Sequence, residues 1–262
     1  GIQLDGGKDY FVAARLEGLR QQEGDATIAD LCERARRASH GPLARRLIDA
    51  ITVKETLFFR DGAPFELLRR HLLPTLLARR GDQAGGVPAP VRIWSAACST
   101  GQEVYTLAIL LRELLGSHAG ERVQLLGTDI SGEAVARARE GVYSRFEIER
   151  GLGADQLARY FEPDGRRWRV REDLRALARF ETRNLLAPLT LGPFDLVLCR
   201  NVAIYFDLAV RKDLFARLAR TLDPGGFLLV GATESLVGVD DRFTPRRQCG
   251  AVYYQIHGGG VS

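Results

Sequence analysis

The sequence contains no methionine, not even at position 1, and only three lysines, Lys8, Lys54 and Lys212, among 37 basic residues. The missing start reads as an excised or processed fragment, and the closing HGGGVS as the beginning of a linker or an artificial tail. On that reading, a fused interaction domain is expected beyond Ser262. Four cysteines, Cys32, Cys98, Cys199 and Cys249, lie far apart with no CxxC pair, which excludes a disulfide-built miniprotein and suits reduced thiols in the cytoplasm. No run of about 18 or more apolar residues occurs, so no direct membrane insertion is expected. The opening GIQLDGGKDY lacks the basic start and apolar stretch of a signal peptide. His40, His71, His118 and His257 are scattered without ligand spacing, so no metal site and no catalytic histidine is expected.

What is present is ordinary globular composition. With 45% hydrophobic and 27% charged residues the chain can build a core, and 262 residues suit one or two domains of about 150. The net charge of +4 is modest and carried almost wholly by arginine, the residue that grips carboxylate or phosphate in fixed geometry. That excess reads either as arginine-biased codon usage or as an anionic partner. A nucleic-acid partner is not expected, because no basic stretch is interleaved with aromatics.

The first 80 residues read as helices. Apolar residues recur at spacings of three and four over Asp9–Arg20, Thr27–Ala38, Pro42–Ala50 and Pro64–Arg80. Gly81–Pro90, rich in Gly and Pro, is the expected linker. Beyond it strands alternate with helices. Strands are expected at Val91–Ala97, Val123–Gly127, Arg179–Arg183, Phe194–Cys199, Phe227–Gly231 and Val252–Ile256. Helices are expected near Glu103–Leu115, after the capping Ser131, and near Leu208–Leu222, with a turn at Asp223–Gly226. This alternation predicts an α/β, doubly wound parallel sheet. About fifty residues separate Asp129 from the strand at Arg179, too many for one crossover helix, so a small β subdomain is expected at about 143–180. The expected organisation is a helical N-terminal domain (1–80), a linker (81–90) and an α/β domain (91–262) carrying the insert.

Open α/β sheets bind ligands at the C-terminal ends of their strands. There the first strand runs into the small-residue turn Ala97-Cys98-Ser99-Thr100-Gly101, and the second ends in Asp129, placed to accept two ribose hydroxyls. The same residues also read as a tight turn and a helix-capping aspartate. Neither GxGxxG nor GxxxxGK[ST] occurs, which disfavours a pyrophosphate or a P-loop nucleotide. A nucleoside bearing an amino-acid tail, S-adenosylmethionine, fits better.

RIWSAACSTGQEVYTLAI (Arg92–Ile109), GTDIS (Gly127–Ser131), RNLL (Arg183–Leu186), FDLVLCRNVAIYF (Phe194–Phe206), LDPGGFLLVGATES (Leu222–Ser235) and TVKETLFFRD (Thr52–Asp61) together resemble the chemotaxis-receptor methyltransferases of the CheR family. The resemblance covers almost the whole chain in the family's order. It implies a Rossmann-like S-adenosylmethionine-dependent methyltransferase domain with a helical N-terminal domain and a small β insert. It also implies a cofactor site of Lys54, Thr56, Arg60, Ala97, Glu103, Asp129, Ile130, Asn184, Leu185, Arg200 and Asn201, with S-adenosylhomocysteine as the product. Arg60, Arg200 and Tyr205 match residues around the reacting centre. Read without the family, Arg60 is more readily a surface cation and Tyr205 a packed core tyrosine.

Three departures stand out: Lys54 where members usually carry asparagine, Gln102 beside Glu103 where an acid is commoner, and no arginine after Tyr160-Phe161 in the insert. The partner implied is the cytoplasmic domain of a methyl-accepting chemoreceptor, with Arg34, Arg36, Arg37, Arg45 and Arg46 as a docking surface or simply a solvated face. The short insert loop Glu162–Arg167 suggests that no receptor tether is gripped there. The reaction implied gives glutamate methyl esters. A binding module without catalysis, or a methyltransferase acting on a non-receptor carboxylate, are the alternatives.

Overall fold

The computed structural model describes residues 9–39, 41–81 and 89–256. Most of the expected linker, His40, His257 and the HGGGVS tail lie outside these residues.

Ten strands follow in chain order: β1 (Val91–Ala96), β2 (Val123–Asp129), β3 (Val142–Ser144), β4 (Phe161–Asp164), β5 (Arg167–Val170), β6 (Ala178–Thr182), β7 (Phe194–Cys199), β8 (Leu222–Val230), β9 (Phe243–Gln248) and β10 (Ala251–Ile256). Seven form one sheet in the order β6-β2-β1-β7-β8-β10-β9, and β3-β5-β4 form a separate three-stranded sheet. Successive residues of the central strands feed opposite faces. Ile93, Leu196 and Leu229 enter one core with the helices 63–81 and Gln102–Leu115, while Trp94, Val197 and Val230 enter another with the helix Leu208–Thr221. Strands buried on both faces need apolar residues toward both, which is why FDLVLC, Asp195 apart, shows no polar alternation.

The sheet is not wholly parallel. β6, β2, β1, β7 and β8 pair in parallel, but β10 runs antiparallel to both β8 and β9. The cause is local: β9 and β10 are joined by Cys249-Gly250 alone, with φ of 49° and 75°, the two-residue turn that closes an antiparallel hairpin. β9 itself was hidden in the sequence by Pro245, Arg246 and Arg247, which an edge strand tolerates. The expected turn at Asp223–Gly226 lies inside β8, where the register with β7 shifts between Phe194 and Leu196. The turn-like residues form a bulge, and a Cβ on Gly226 would sit 2.9 Å from the Asp223 carbonyl oxygen.

The first three helices, Asp9–Glu23, Ile28–Arg37 and Pro42–Ile51, pack on one another. Thr27 and Asp30 form a capping box at the start of the second. The fourth helical element, 63–81, includes a π turn at Leu68–Leu72 and shares a core with β1 through Phe65, Leu68, Leu72 and Leu76. Its last turn is pinned under the sheet. The buried Asp195 carboxylate at the start of β7 accepts from Arg79 Nη2 (2.6 Å), Arg80 Nε (2.9 Å) and the Arg92 backbone N–H (2.9 Å). In the small sheet, β4 and β5 are joined by the two-residue turn Gly165-Arg166. No helix among the described residues is long and apolar enough to cross a membrane.

Candidate cofactor and methyl-transfer site

Strand order reverses between β1 and β7, and the crevice at their C-terminal ends is where this sheet can take a ligand. The loop after β1 is held open by its own backbone. Ala97, Ser99 and Gly101 adopt φ of 68°, 50° and 97°. Cys98 N–H donates to the Thr128 carbonyl (2.8 Å), and the Tyr143 hydroxyl donates to the Thr100 carbonyl (2.8 Å). Gly101 is obligatory here, because a Cβ would approach Ala138 Cβ to 2.9 Å as well as strain the left-handed backbone. Asp129, at the tip of β2, accepts from Ser99 N–H (2.8 Å) and Ser131 N–H (2.9 Å), one on each oxygen. Burial raises its pKa against these hydrogen bonds. Each oxygen keeps lone-pair capacity for a ligand hydroxyl.

The segment after the third helix closes the other side. Phe59 and Asp61 also carry positive φ, 51° and 71°, and Phe59 N–H is held by Thr106 Oγ1 (3.1 Å). Ala97, Ser99 and Asn201 (φ 59°) line this crevice and Phe59 and Asp61 flank its lining residue Arg60, together five of the six non-glycine residues of positive φ among the described residues. Such concentration of backbone strain is characteristic of functional sites.

Arg200, at the end of β7, is buried and clamped. It donates to Glu103 (2.9 Å), to Asp61 (2.7 Å) and to the Arg60 carbonyl (3.0 Å). Ser95 Oγ donates to the other Glu103 oxygen (2.7 Å). Arg200, Glu103 and Arg60 border a cavity of about 420 Å³. Every candidate site residue named from the sequence except Lys54 lines it, Tyr205 and Arg60 included. Lys54 pairs instead with Glu133, close enough to Asp129 to oppose the upward shift of its pKa. His71 and His118 lie away from the cavity.

The sequence reading missed three supporting carboxylates. Asp61 holds Arg200; Asp49 accepts from Ser131 Oγ (2.6 Å) and Glu133 N–H (3.3 Å); Glu234 binds the turn after β7. Asp61 and Glu234 lay within strings already singled out, TVKETLFFRD and GATES, but nothing in their spacing announces a partner so distant in the chain.

The lining suits a nucleoside with an amino-acid tail. Beside the Asp129 acceptors, three buried polar atoms of lining residues, Ser99 Oγ, Arg183 Nε and Arg200 Nε, have no protein partner. The apolar part of the lining includes Leu185, Ile130 and Val202, suited to an adenine face. Glu103 offers an anionic partner to an ammonium, and of the three arginines on the lining Arg183 and Arg200 are already paired, with Glu181 and with Asp61 and Glu103.

A family model described as "CheR methyltransferase, SAM binding domain" matches residues 54–250. Chemotaxis protein methyltransferase Cher2 of Pseudomonas putida is 38% identical over 260 residues, covering 97% of this chain and 92% of the relative. Chemotaxis protein methyltransferase 1 of Pseudomonas aeruginosa is 40% identical over 248 residues, 93% of this chain and 88% of the relative. The chemotaxis protein methyltransferase of Escherichia coli K12 is 37% identical over 207 residues, 77% and 68% of the two chains. With that match laid over a cavity built around Asp129, Glu103 and Arg200, the chain belongs to the CheR methyltransferases and is an S-adenosylmethionine-dependent enzyme.

Proposed function

We propose that this enzyme methylates glutamate side chains on the cytoplasmic helices of a methyl-accepting chemoreceptor, giving glutamate methyl esters. The observation that carries this reading is the placement of Arg60 and Tyr205 on the same cavity as Asp129 and Glu103, so that an acceptor anion and a nucleoside share one crevice. Bound there, S-adenosylmethionine supplies an electrophilic methyl group on a sulfonium. Asp129 would hold the ribose hydroxyls, Asn184 and Leu185 the adenine side, and Thr56, Glu103 and Asn201 the remaining polar edge.

The acceptor needs no general base. A free glutamate has a pKa of about 4.3 and is already an anion at neutral pH. The protein's task is to desolvate that carboxylate and align it, and near-attack positioning alone is worth about 7–11 kcal/mol. Arg60 must orient the anion without holding it too tightly, since its charge disappears in the ester. Arg60 has only a long side-chain bond to the Glu55 carbonyl (3.3 Å), which leaves most of its guanidinium donors available.

For receptor docking, the basic cluster divides. Arg34 and Arg46 are drawn inward onto Glu23, and Arg34 also onto Asp25. Arg36 and Arg37 are 81% and 77% exposed, in loose contact with Glu33 only, and Arg45 is exposed. The docking surface therefore reduces to Arg36, Arg37 and Arg45 facing acidic receptor helices in the cytoplasm. The tight Gly165-Arg166 turn supports docking without a tether at the small sheet. Reversing these three charges is expected to weaken receptor binding while S-adenosylhomocysteine affinity stays constant; unchanged receptor binding would end the idea.

The first test is a thermal shift with S-adenosylhomocysteine. At a hundred times its dissociation constant a ligand adds about 2.7 kcal/mol. For a chain of this size that is a rise of roughly 5–10 °C. The rise is expected in the native protein and lost in Asp129→Ala, and transfer of labelled methyl to receptor should then be base-labile, as an ester is. Methyl transfer that is base-stable would overturn the carboxylate assignment.

A further inference from the structure

We infer that Glu234 is a positioning residue for methyl transfer, setting the turn Asn201–Ala203 that carries Tyr205 to the cavity. Glu234 does not line the cavity itself. Its carboxylate accepts four backbone N–H groups: Oε2 from Gly231 (2.6 Å) and Asn201 (2.7 Å), Oε1 from Ala203 (2.9 Å) and Val202 (3.2 Å). Three consecutive amides of an irregular turn, which no helix or strand would satisfy, thus converge on one anion from a different strand end. The turn then hands its geometry on. Val202's carbonyl accepts from Tyr205 N–H (3.2 Å), while Arg200 immediately before it is fixed by Glu103 and Asp61.

An independent observation concerns room. A Cβ at Gly231 would lie 2.6 Å from Glu234 Oε2, 2.7 Å from Asn201 Nδ2 and 3.0 Å from Asn201 N. Only a hydrogen fits where the ends of β7 and β8 mesh. Asn201 is held at φ 59°, a backbone state that asparagine tolerates but that needs outside support. Glu234 supplies that support.

The inference rests on the methyl-transfer reading but is tested separately from it. Glu234→Gln keeps the volume and replaces one acceptor oxygen by a carboxamide NH2, a donor that faces two N–H donors. Amide exchange, S-adenosylhomocysteine affinity and steady-state kinetics are measured on the full chain. In the Gln variant the amides of Asn201, Val202 and Ala203 are expected to exchange about tenfold faster, while those of Leu196–Leu198 in β7 are unchanged. The kcat is expected to fall about tenfold or more, a larger change than in the KM for S-adenosylmethionine, to which Asn201 also contributes. Glu234→Asp, which keeps the anion, should recover part of the kcat. Gly231→Ala should reproduce the Gln phenotype by displacing the same contacts, and Thr233→Ala, exposed on the same loop, should match the native enzyme. A Gln variant with lowered melting temperature but native kcat, or with its 201–203 amides still protected, overturns the assignment. Exchange and product binding need no acceptor, so a native enzyme inactive on receptor would sink the functional reading and leave Glu234 still decided by the amides.

Discussion

Arg200 uses its guanidinium inside the protein, on Glu103, Asp61 and the Arg60 carbonyl, and so fixes the crevice wall. On the proposed function, contact with the acceptor is left to Arg60 and Tyr205. Burial raises the Tyr205 pKa above its ordinary value near 10, with Arg60 pulling the other way. Its hydroxyl therefore stays protonated, and a donor, across the working range. Tyr205→Phe is expected to lower kcat by about ten- to a hundredfold, the worth of a hydrogen bond to a charged group at about 1.5–3 kcal/mol, with product affinity nearly unchanged by calorimetry. Activity should show no alkaline limb from this residue between about pH 7 and 9. Asp129 sets the acid side. Its raised pKa means the folded protein takes up this proton at higher pH than a free aspartate would. Protonation removes an acceptor for the ribose hydroxyls, so S-adenosylhomocysteine affinity should be full above that raised pKa and fall as the pH drops through it. A titration of affinity from pH 8 down to 4 would show this, and an affinity flat over that range would remove Asp129 from the ligand.

At the scale of elements, the loop after β1 is the most demanding piece. Gly101→Ala adds a Cβ within 2.9 Å of Ala138 at φ 97°, so a loss of about 1–3 kcal/mol and of product binding is expected. Calorimetry that finds native affinity would show that the loop can shift without harm. The central strands and most helices were legible because their residues obey one period each: FDLVLC is apolar except for Asp195, and Ser131 caps the helix Gly132–Glu140 as its position in the sequence suggested. What escaped were elements defined by partners. β9 is a strand only because β10 pairs with it, and DPGG reads as a turn until β7 supplies the register that makes it a bulge. The site follows the same rule. Residues at strand tips, Asp129 and Arg200, were legible from position and family strings, whereas Asp49 and Glu234 act across 82 and 33 residues of chain.

For the whole molecule, the question is what ties the N-terminal helices to the sheet, since both wall the cavity. Two separate fastenings are visible. At the lower edge Asp195 gathers Arg79, Arg80 and the Arg92 amide, far in the fold from the strand tips that bear the ligand. At the upper edge Asp49 caps the helix that begins beside Asp129 through Ser131 Oγ and Glu133 N–H, and Lys54 pairs with Glu133. These fastenings should separate in experiment. Asp195→Asn leaves two guanidinium groups facing a neutral amide; because both remain partly hydrated, the cost belongs at the low end for a broken buried pair, about 3 kcal/mol, a melting-temperature drop of roughly 6–12 °C. Product affinity, measured well below that temperature, should be unchanged. Asp49→Ala removes a cap worth about 0.5–2 kcal/mol, a smaller loss of stability. It also frees Ser131, whose N–H orients Asp129, so product affinity should fall several-fold although Asp49 touches no ligand. The crossed result, affinity lost with Asp195 and kept with Asp49, would mean that the helical segment governs the site through the sheet's lower edge instead. The expected pattern places control of the cofactor crevice in the contact between the third helix and the Asp129 loop, where movement of the N-terminal helices would be felt first.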